Sequence, residues 1–213
     1  MKLNSPLIVA AHSSNPEMIR FLVSSGANVN AVNRLGTTAL CVSSEKHLFD
    51  NCKTLLDAGA NVNHVTPSGQ FPLIFCAING VNQSALRLLN LLLEHGAKVD
   101  LADKTGRSAL HIAAANGNIE FCDTLLAHGA SLDAKDAKGR TALFKCVKKY
   151  NFVLGLKLLS SGADPFSIKP LLTKSFQNDW PEFSKTACAF IAAKTARQAV
   201  DEISVSKLAL QKK

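Results

Sequence analysis

The sequence predicts an all-α solenoid built from a repeated helix-turn-helix-hairpin unit, and three observations predict it. The pair Gly-Ala recurs at Gly26, Gly59, Gly96, Gly129 and Gly162, at intervals of 33, 37, 33 and 33 residues. A second glycine series at Gly36, Gly69, Gly106 and Gly139 has intervals of 33, 37 and 33, so two independent series share one period and one four-residue exception. Between the glycines the apolar residues keep helical spacing, and a leucine pair closes each cycle at Leu55-Leu56, Leu92-Leu93, Leu125-Leu126 and Leu158-Leu159. A period of this length marks a stacked array, because one short unit cannot bury its own apolar face whereas neighbouring units can.

The stretch "GRSALHIAAANGN", Gly106 to Asn118, justifies the elements of one unit in order. Leu110, Ala113 and Ala114 stand at i, i+3 and i+4, one face of a short first helix, and the two alanines let first helices of adjacent units approach closely. Gly117 is expected in the turn that follows, and Asn118 as the N-cap of a second helix whose buried face is Ile119, Cys122, Leu125 and Leu126. Asn15-Pro16 and Asn151 fill the same cap position in their units. Gly129 suits a left-handed C-cap, and the polar "ASLDAKDAKG" reads as a hairpin with the glycine at its turn. Gly106 takes that hairpin position one unit earlier, and His111 is expected to bond backbone in a neighbouring loop.

With these residues in place, the chain resembles the ankyrin repeat family, whose G-x-T-P-L-H-x-A-A-x-x-G pattern "GRSALHIAAANGN" nearly repeats. Five ankyrin-type units follow, at 1–32, 33–65, 66–102, 103–135 and 136–168. "SPLIVAA" and "FPLIFCA" keep the family's Pro-Leu, but only His111 keeps its histidine; Ile8, Cys41, Ile74 and Phe144 stand there in the other units. The four extra residues of the third unit are expected to lengthen its second helix or widen its inter-helix turn. Beyond Ile168 the glycines stop. Residues 169–194 read as a degenerate capping repeat, "KPLLTKSF" echoing a first helix and "WPEFSKTACAFIAAK" a second, with Trp180, Phe183 and Phe190 as apolar bulk. Residues 195–213 read as a basic C-terminal helix or tail, weakly amphipathic through Ala196, Val200, Ile203 and Leu208.

Composition narrows the chemistry. At 47% hydrophobic residues the chain is too apolar to be disordered. No apolar run approaches a spanning helix, and "LIVAA" is shorter than a secretory core segment needs. Six cysteines, at Cys41, Cys52, Cys76, Cys122, Cys146 and Cys188, form no C-x-x-C pair and are expected as small buried hydrophobes in a reducing compartment, cytoplasmic and/or nuclear. Cys146 has Lys145 and Lys148 beside it, which would favour a thiolate, yet it takes the packing position of Cys76 and Ala113. No H-E-x-x-H, zinc-type spacing, phosphate loop or G-x-S-x-G is present. The chain is therefore expected to be non-catalytic, with no cofactor and no metal, and monomeric by itself.

The resemblance implies protein binding through hairpin tips and the exposed side of the first helices, which line a concave groove. Carried over by residue, the tips are Arg34 and Leu35; Pro67, Ser68 and Gln70; Lys104, Thr105 and Arg107; and Ala137, Lys138 and Arg140. The first helices add Glu45 and Lys46, Ile78 and Asn79, Ala115 and Asn116, and Lys148 and Lys149. The net charge of +8 sits at one end: residues 1–135 hold ten Lys/Arg against ten Asp/Glu, and residues 136–213 hold fourteen against six. An adaptor, scaffold or inhibitor is expected that docks an acidic or phosphorylated protein segment on Lys104, Arg107, Lys138, Arg140, Lys148 and Lys149, with apolar anchors at Leu35, Pro67 and Ile78. An ordinary solvated face is the plainer reading of the same lysines. A nucleic-acid-associated regulator is the alternative that a pI near 9.3 permits, although aromatic residues, 6% of the chain, do not interleave with the basic positions. The family also implies that asparagines such as Asn30 and Asn63 are hydroxylated in some members; a hairpin-stabilising role is the simpler one.

Overall fold

The computed structural model describes residues 5–78 and 82–210, with side chains throughout except at 175 and 198–210. Asn79, the side chains of Val200, Ile203 and Leu208, and the terminal lysines lie outside the described residues.

Paired helices follow one another along the chain: α1 (Pro6–Ala10) and α2 (Pro16–Ser24), α3 (Ala39–Glu45) and α4 (Phe49–Asp57), α5 (Pro72–Ile78) and α6 (Gln83–Glu94), α7 (Ala109–Asn116) and α8 (Ile119–Ala127), α9 (Ala142–Lys148) and α10 (Phe152–Ser160). The first helices stack as α1–α3–α5–α7–α9, and the second helices form another layer through α2–α4–α6–α8. Leucines at repeating positions, Leu40, Leu73, Leu110 and Leu143 from one layer and Leu55, Leu92, Leu125 and Leu158 from the other, are buried in one continuous core. Ala113 and Ala114 are buried where α7 meets α5 and α9, as their size requires. Three of the third unit's four extra residues lengthen its second helix: α6 has 12 residues where α2, α4, α8 and α10 have 9.

Asn15 and Asn118 cap their helices as expected, accepting the amides of Met18 and Phe121, each at 3.0 Å. Asn151 does not. Its side chain donates instead to the carbonyls of Ala114 (3.3 Å) and Ala115 (3.0 Å), at the end of α7 in the preceding unit. They lie in the last turn of α7, where carbonyls lack an i+4 amide, and that of Ala114 otherwise accepts the Gly117 amide at 3.2 Å. Gly117 makes the approach possible: a Cβ there would stand 2.7 Å from the Asn151 side-chain oxygen. Asn116 likewise reaches the carbonyls of Ala77 and Ile78, and Asn51 reaches that of Ser13. Gly117 is left-handed, with φ +73°. His47 and Tyr150 hold its place in the second and fifth units at φ +54° and +63°. His47 offsets the cost of that backbone through a ring contact to the carbonyl of Cys76, and Tyr150 through an edge-to-face contact with Phe152 and a tilted one with Trp180.

The hairpins are tight turns, and among the described residues they form no strand. Asp103 closes one of them: its amide donates to the Arg107 carbonyl, and its side chain accepts the amides of Thr105 and Arg107. Asn33 and Asp136 repeat this pattern. Asn30, Asn63, Asp100 and Asp133 then tie unit to unit, each accepting one backbone amide of the next unit, those of Asn61, Lys98, Ser131 and Asp164, at 2.8–2.9 Å. Asn30 and Asn63 thus carry the stabilising role with their amide groups engaged.

The cap differs from its expected form. A 3-10 helix, Pro165–Leu171, runs across the 168/169 boundary between the fifth unit and the segment that echoes a first helix, with Pro170 inside it and Ile168 fully buried. Then come α11 (Lys174–Asp179) and α12 (Pro181–Leu210). The 194/195 boundary between cap and tail falls inside α12. Phe152 joins the cap to the array, with ring centroids 4.7 Å from both Trp180 and Phe183.

Candidate protein-binding surface

A cleft of about 310 Å³ opens in the first-helix layer, lined by Ile78 from α5, Arg107 from a hairpin, His111, Ile112, Ala115 and Asn116 from α7, and Lys145 from α9. Its floor is apolar and its walls come from three successive units, so the stacking of units creates it.

His111 lies beneath it, buried. The Ser108 amide donates to Nδ1 at 3.2 Å, so the ring proton sits on Nε2 and is donated to the Arg140 carbonyl at 3.0 Å. This is the backbone bond expected from sequence. Burial pushes the imidazole pKa below its ordinary value, against the opposing pull of the Arg140 carbonyl and Asp136. The unfolded chain takes a proton near pH 6.5 that the folded chain resists, so stability falls as pH drops below that value. Urea midpoints are expected to be lower at pH 5 than at pH 7.5, and His111→Gln should flatten the slope between them. An unchanged slope in that variant would place the titrating group elsewhere.

Asp136 organises the fifth hairpin. Its buried carboxylate receives the guanidinium of Arg140 at 2.8 Å, the ammonium of Lys145 at 2.7 Å and the amides of Lys138 and Arg140. Burial alone would raise its pKa; these donors outweigh burial and hold it well below the usual carboxylate range. Asp103 pairs with Arg107 in the same way, at 2.8 Å, and burial is again outweighed by its donors. Sequence reasoning grouped Arg107 and Arg140 with the lysines as one basic set and missed these pairs. The signal was present: "DKTGR" and "DAKGR" place Asp and Arg at one spacing in the two hairpins.

Lys104, Lys138, Lys148 and Lys149 are exposed, and among the described residues none of the four is in an ion pair. Arg34 and Leu35 stand exposed at the second hairpin tip, Leu35 at 75%. Ile78 is partly exposed at the cleft edge. The expected residues therefore divide into two anchored arginines, four open lysines, Ile78 at the cleft edge, and the separate pair Arg34 and Leu35.

Cys41, Cys52, Cys76, Cys122 and Cys146 are buried, and burial pushes the Cys146 thiol up to about 12 despite its lysine neighbours. Cys188 departs from the expectation and is exposed. Among the described residues no cluster of His, Cys, Asp and Glu has the arrangement of a metal site, and no helix is long and apolar enough to cross a membrane.

A family model for ankyrin repeats matches the chain in three copies, over residues 2–66, 52–136 and 73–169. The chain belongs to the ankyrin repeat family, and its repeats make it a protein–protein interaction module. It is 36% identical over 118 residues to human "Ankyrin repeat and SOCS box protein 16", covering 54% of this chain and 25% of that protein. To "Putative ankyrin repeat protein YahD" of Escherichia coli (strain K12) it is 31% identical over 117 residues, covering 53% and 57%. To the mouse "B-cell lymphoma 3 protein homolog" it is 33% identical over 151 residues, covering 53% and 33%. The chain thus spans from 25% to 57% of the length of these curated relatives.

Proposed function

We propose that the chain is a non-catalytic adaptor, scaffold or inhibitor that holds an acidic or phosphorylated segment of a protein partner across the fourth and fifth units. The observation that carries this reading is the four open lysines, Lys104 and Lys138 on the hairpins and Lys148 and Lys149 at the end of α9, in the two units that also supply Arg107, Ile112, Ala115 and Lys145 to the cleft. Clustered charge of one sign speeds encounter with an opposite charge and sets its register, while the apolar floor at Ile112 and Ala115 takes a neighbouring side chain. Arg107 stays partly exposed while paired and still has guanidinium donors to offer an anion. Arg140 belongs to the same surface but mainly braces the hairpin. Leu35, with Arg34 beside it, and Ile78 extend the surface toward the neutral units. Reduced cysteines suit a cytoplasmic or nuclear setting.

The test is a pull-down from nuclease-treated lysate with the wild type and a Lys104/Lys138/Lys148/Lys149→Glu variant, both shown to be folded by thermal melts. Arg140 is left intact because reversing it would break the Asp136 cluster. A protein retained by the wild type should be lost, or weakened about tenfold or more, in the variant. Equal retention would overturn the basic-groove reading and move the site to Leu35, Pro67 and Ile78. Binding that disappears with nuclease treatment would favour the nucleic-acid alternative.

A further inference from the structure

We infer a second docking surface, at the C-terminal end of the second-helix layer, for a protein segment that presents a bulky apolar side chain beside a lysine or arginine. The reasoning begins with repeat positions. Val153 stands where the first, second and fourth units carry Glu17, Asp50 and Glu120, and Leu156 stands where they carry Arg20, Lys53 and Asp123; the third unit, counted from its cap Asn82, has Ser84 and Arg87 there. In all four of those units the two positions are polar or charged. In the fifth unit both are apolar. The start of α12 covers this face only in part, leaving a cleft of about 390 Å³ lined by Phe152, Val153, Leu156, Trp180, Pro181 and Phe183. Val153 is 73% exposed and Trp180 42%, with Tyr150 exposed beside them. The α10–α12 interface therefore continues into an open apolar surface, and the exposed part of Val153 adds nothing to the fold.

Charge indicates the occupant. The rim of this cleft carries Asp179 and Glu182, and among the described residues neither is in an ion pair. This is a local inversion on a chain whose C-terminal third is basic. Glu182, in the first turn of α12, suits the helix dipole. Asp179 ends the six-residue α11, where a helix favours a cation, and stands two residues before the much longer α12, whose start favours an anion. Apolar floor and acidic rim together fit an apolar side chain flanked by positive charge. The cleft floored by Ile112 and Ala115 lies in the other helix layer, in the units that carry the open lysines, so on the proposed groove reading the two surfaces take partners of opposite charge.

The chain's single tryptophan, Trp180, reports on this cleft directly. Random 12-residue peptides displayed on phage would be selected against the full chain and counter-selected against Val153→Glu. That substitution restores the charge that the first, second and fourth units carry at this position, and thermal melts would confirm its fold. The expected peptides pair an aromatic or large aliphatic residue with lysine or arginine. Synthesised, they should shift Trp180 emission and bind at least tenfold more weakly to both Val153→Glu and Asp179→Lys. They should bind the Lys104/Lys138/Lys148/Lys149→Glu variant as well as the wild type, which keeps this test separate from the groove reading. The inference is overturned if no peptide distinguishes the wild type from Val153→Glu, or if the peptides that do are acidic. It is overturned equally if light scattering shows a wild-type dimer that Val153→Glu dissociates, because the cleft is then a contact between copies.

Discussion

Replacing Asp136 by alanine is expected to destabilise the chain by about 3–5 kcal/mol, seen as a large fall in the urea midpoint. The carboxylate is buried and answers two cations and two backbone amides. Its removal leaves Lys145, itself mostly buried, without its counter-charge, and strands two amides in the hairpin turn. Asp136→Asn should lose less, since an amide oxygen still accepts the backbone donors. Asp103→Ala should also lose less, because Arg107 is the single cation paired there and is partly exposed. Acid gives an independent check. An unfolded carboxyl titrates near pH 4, whereas folded Asp136 stays ionised well below that, so its contribution is complete above about pH 4 and is lost as pH falls further. The wild type should therefore show a loss of stability below pH 4 that is reduced in Asp136→Ala. A variant that melts like the wild type would show that the hairpin is held by other bonds.

The second large effect is expected at Gly106, compared with Gly129 as a control. Both are left-handed, at φ +74° and +84°, so alanine at either carries about 1–2 kcal/mol of backbone strain. Around Gly129 nothing lies within 4 Å of a new Cβ. At Gly106 the Cβ would meet the Ala137 amide nitrogen at 2.6 Å, and that amide already donates to the Thr105 carbonyl of the preceding hairpin at 2.9 Å. Backbone cannot swing aside as a flexible side chain does, so the contact between hairpins must open. Gly106→Ala should cost about 2–5 kcal/mol, strain and overpacking together, and Gly129→Ala only its strain. Equal losses in the two variants would mean that the hairpins do not touch as described.

What was legible in the sequence was whatever repeats. The glycine series, the leucine pairs and the caps at Asn15 and Asn118 follow from a period that several units confirm, and the backbone bond of His111 from the family pattern of its own unit. What was missed are single-unit exceptions that depend on the neighbouring unit. Asn151 has the identity and position of a cap, and only the proximity of the α7 carbonyls across Gly117 redirects it. Tyr150 and His47 hide a left-handed position, because neither residue signals positive φ. The 3-10 helix that leads into the cap escaped because the pattern that reads helices ends at Ile168. In the groove, the open lysines were legible as positions. The anchoring of Arg107 and Arg140 was not, since charges were weighed by sign along the chain rather than as pairs closing a turn.

The asparagines that reach back across the stack make the array directional. Asn151 closes carbonyls at the end of α7, Asn116 those at the end of α5, and Asn51 that of Ser13 after α1. The second, fourth and fifth units thus lend donors to the unit before, and release of one of them from the C-terminal side takes those donors away. Loss of the last unit therefore loosens the next, like a zipper opened from one end, while bonds in the other sense run from Asn30 to the Gly59 carbonyl and from His47 to that of Cys76. The cap built on Phe152, Trp180 and Phe183 is consequently a latch. It sets how readily the outermost unit opens, and through it the lifetime of the surface that the fourth and fifth units present.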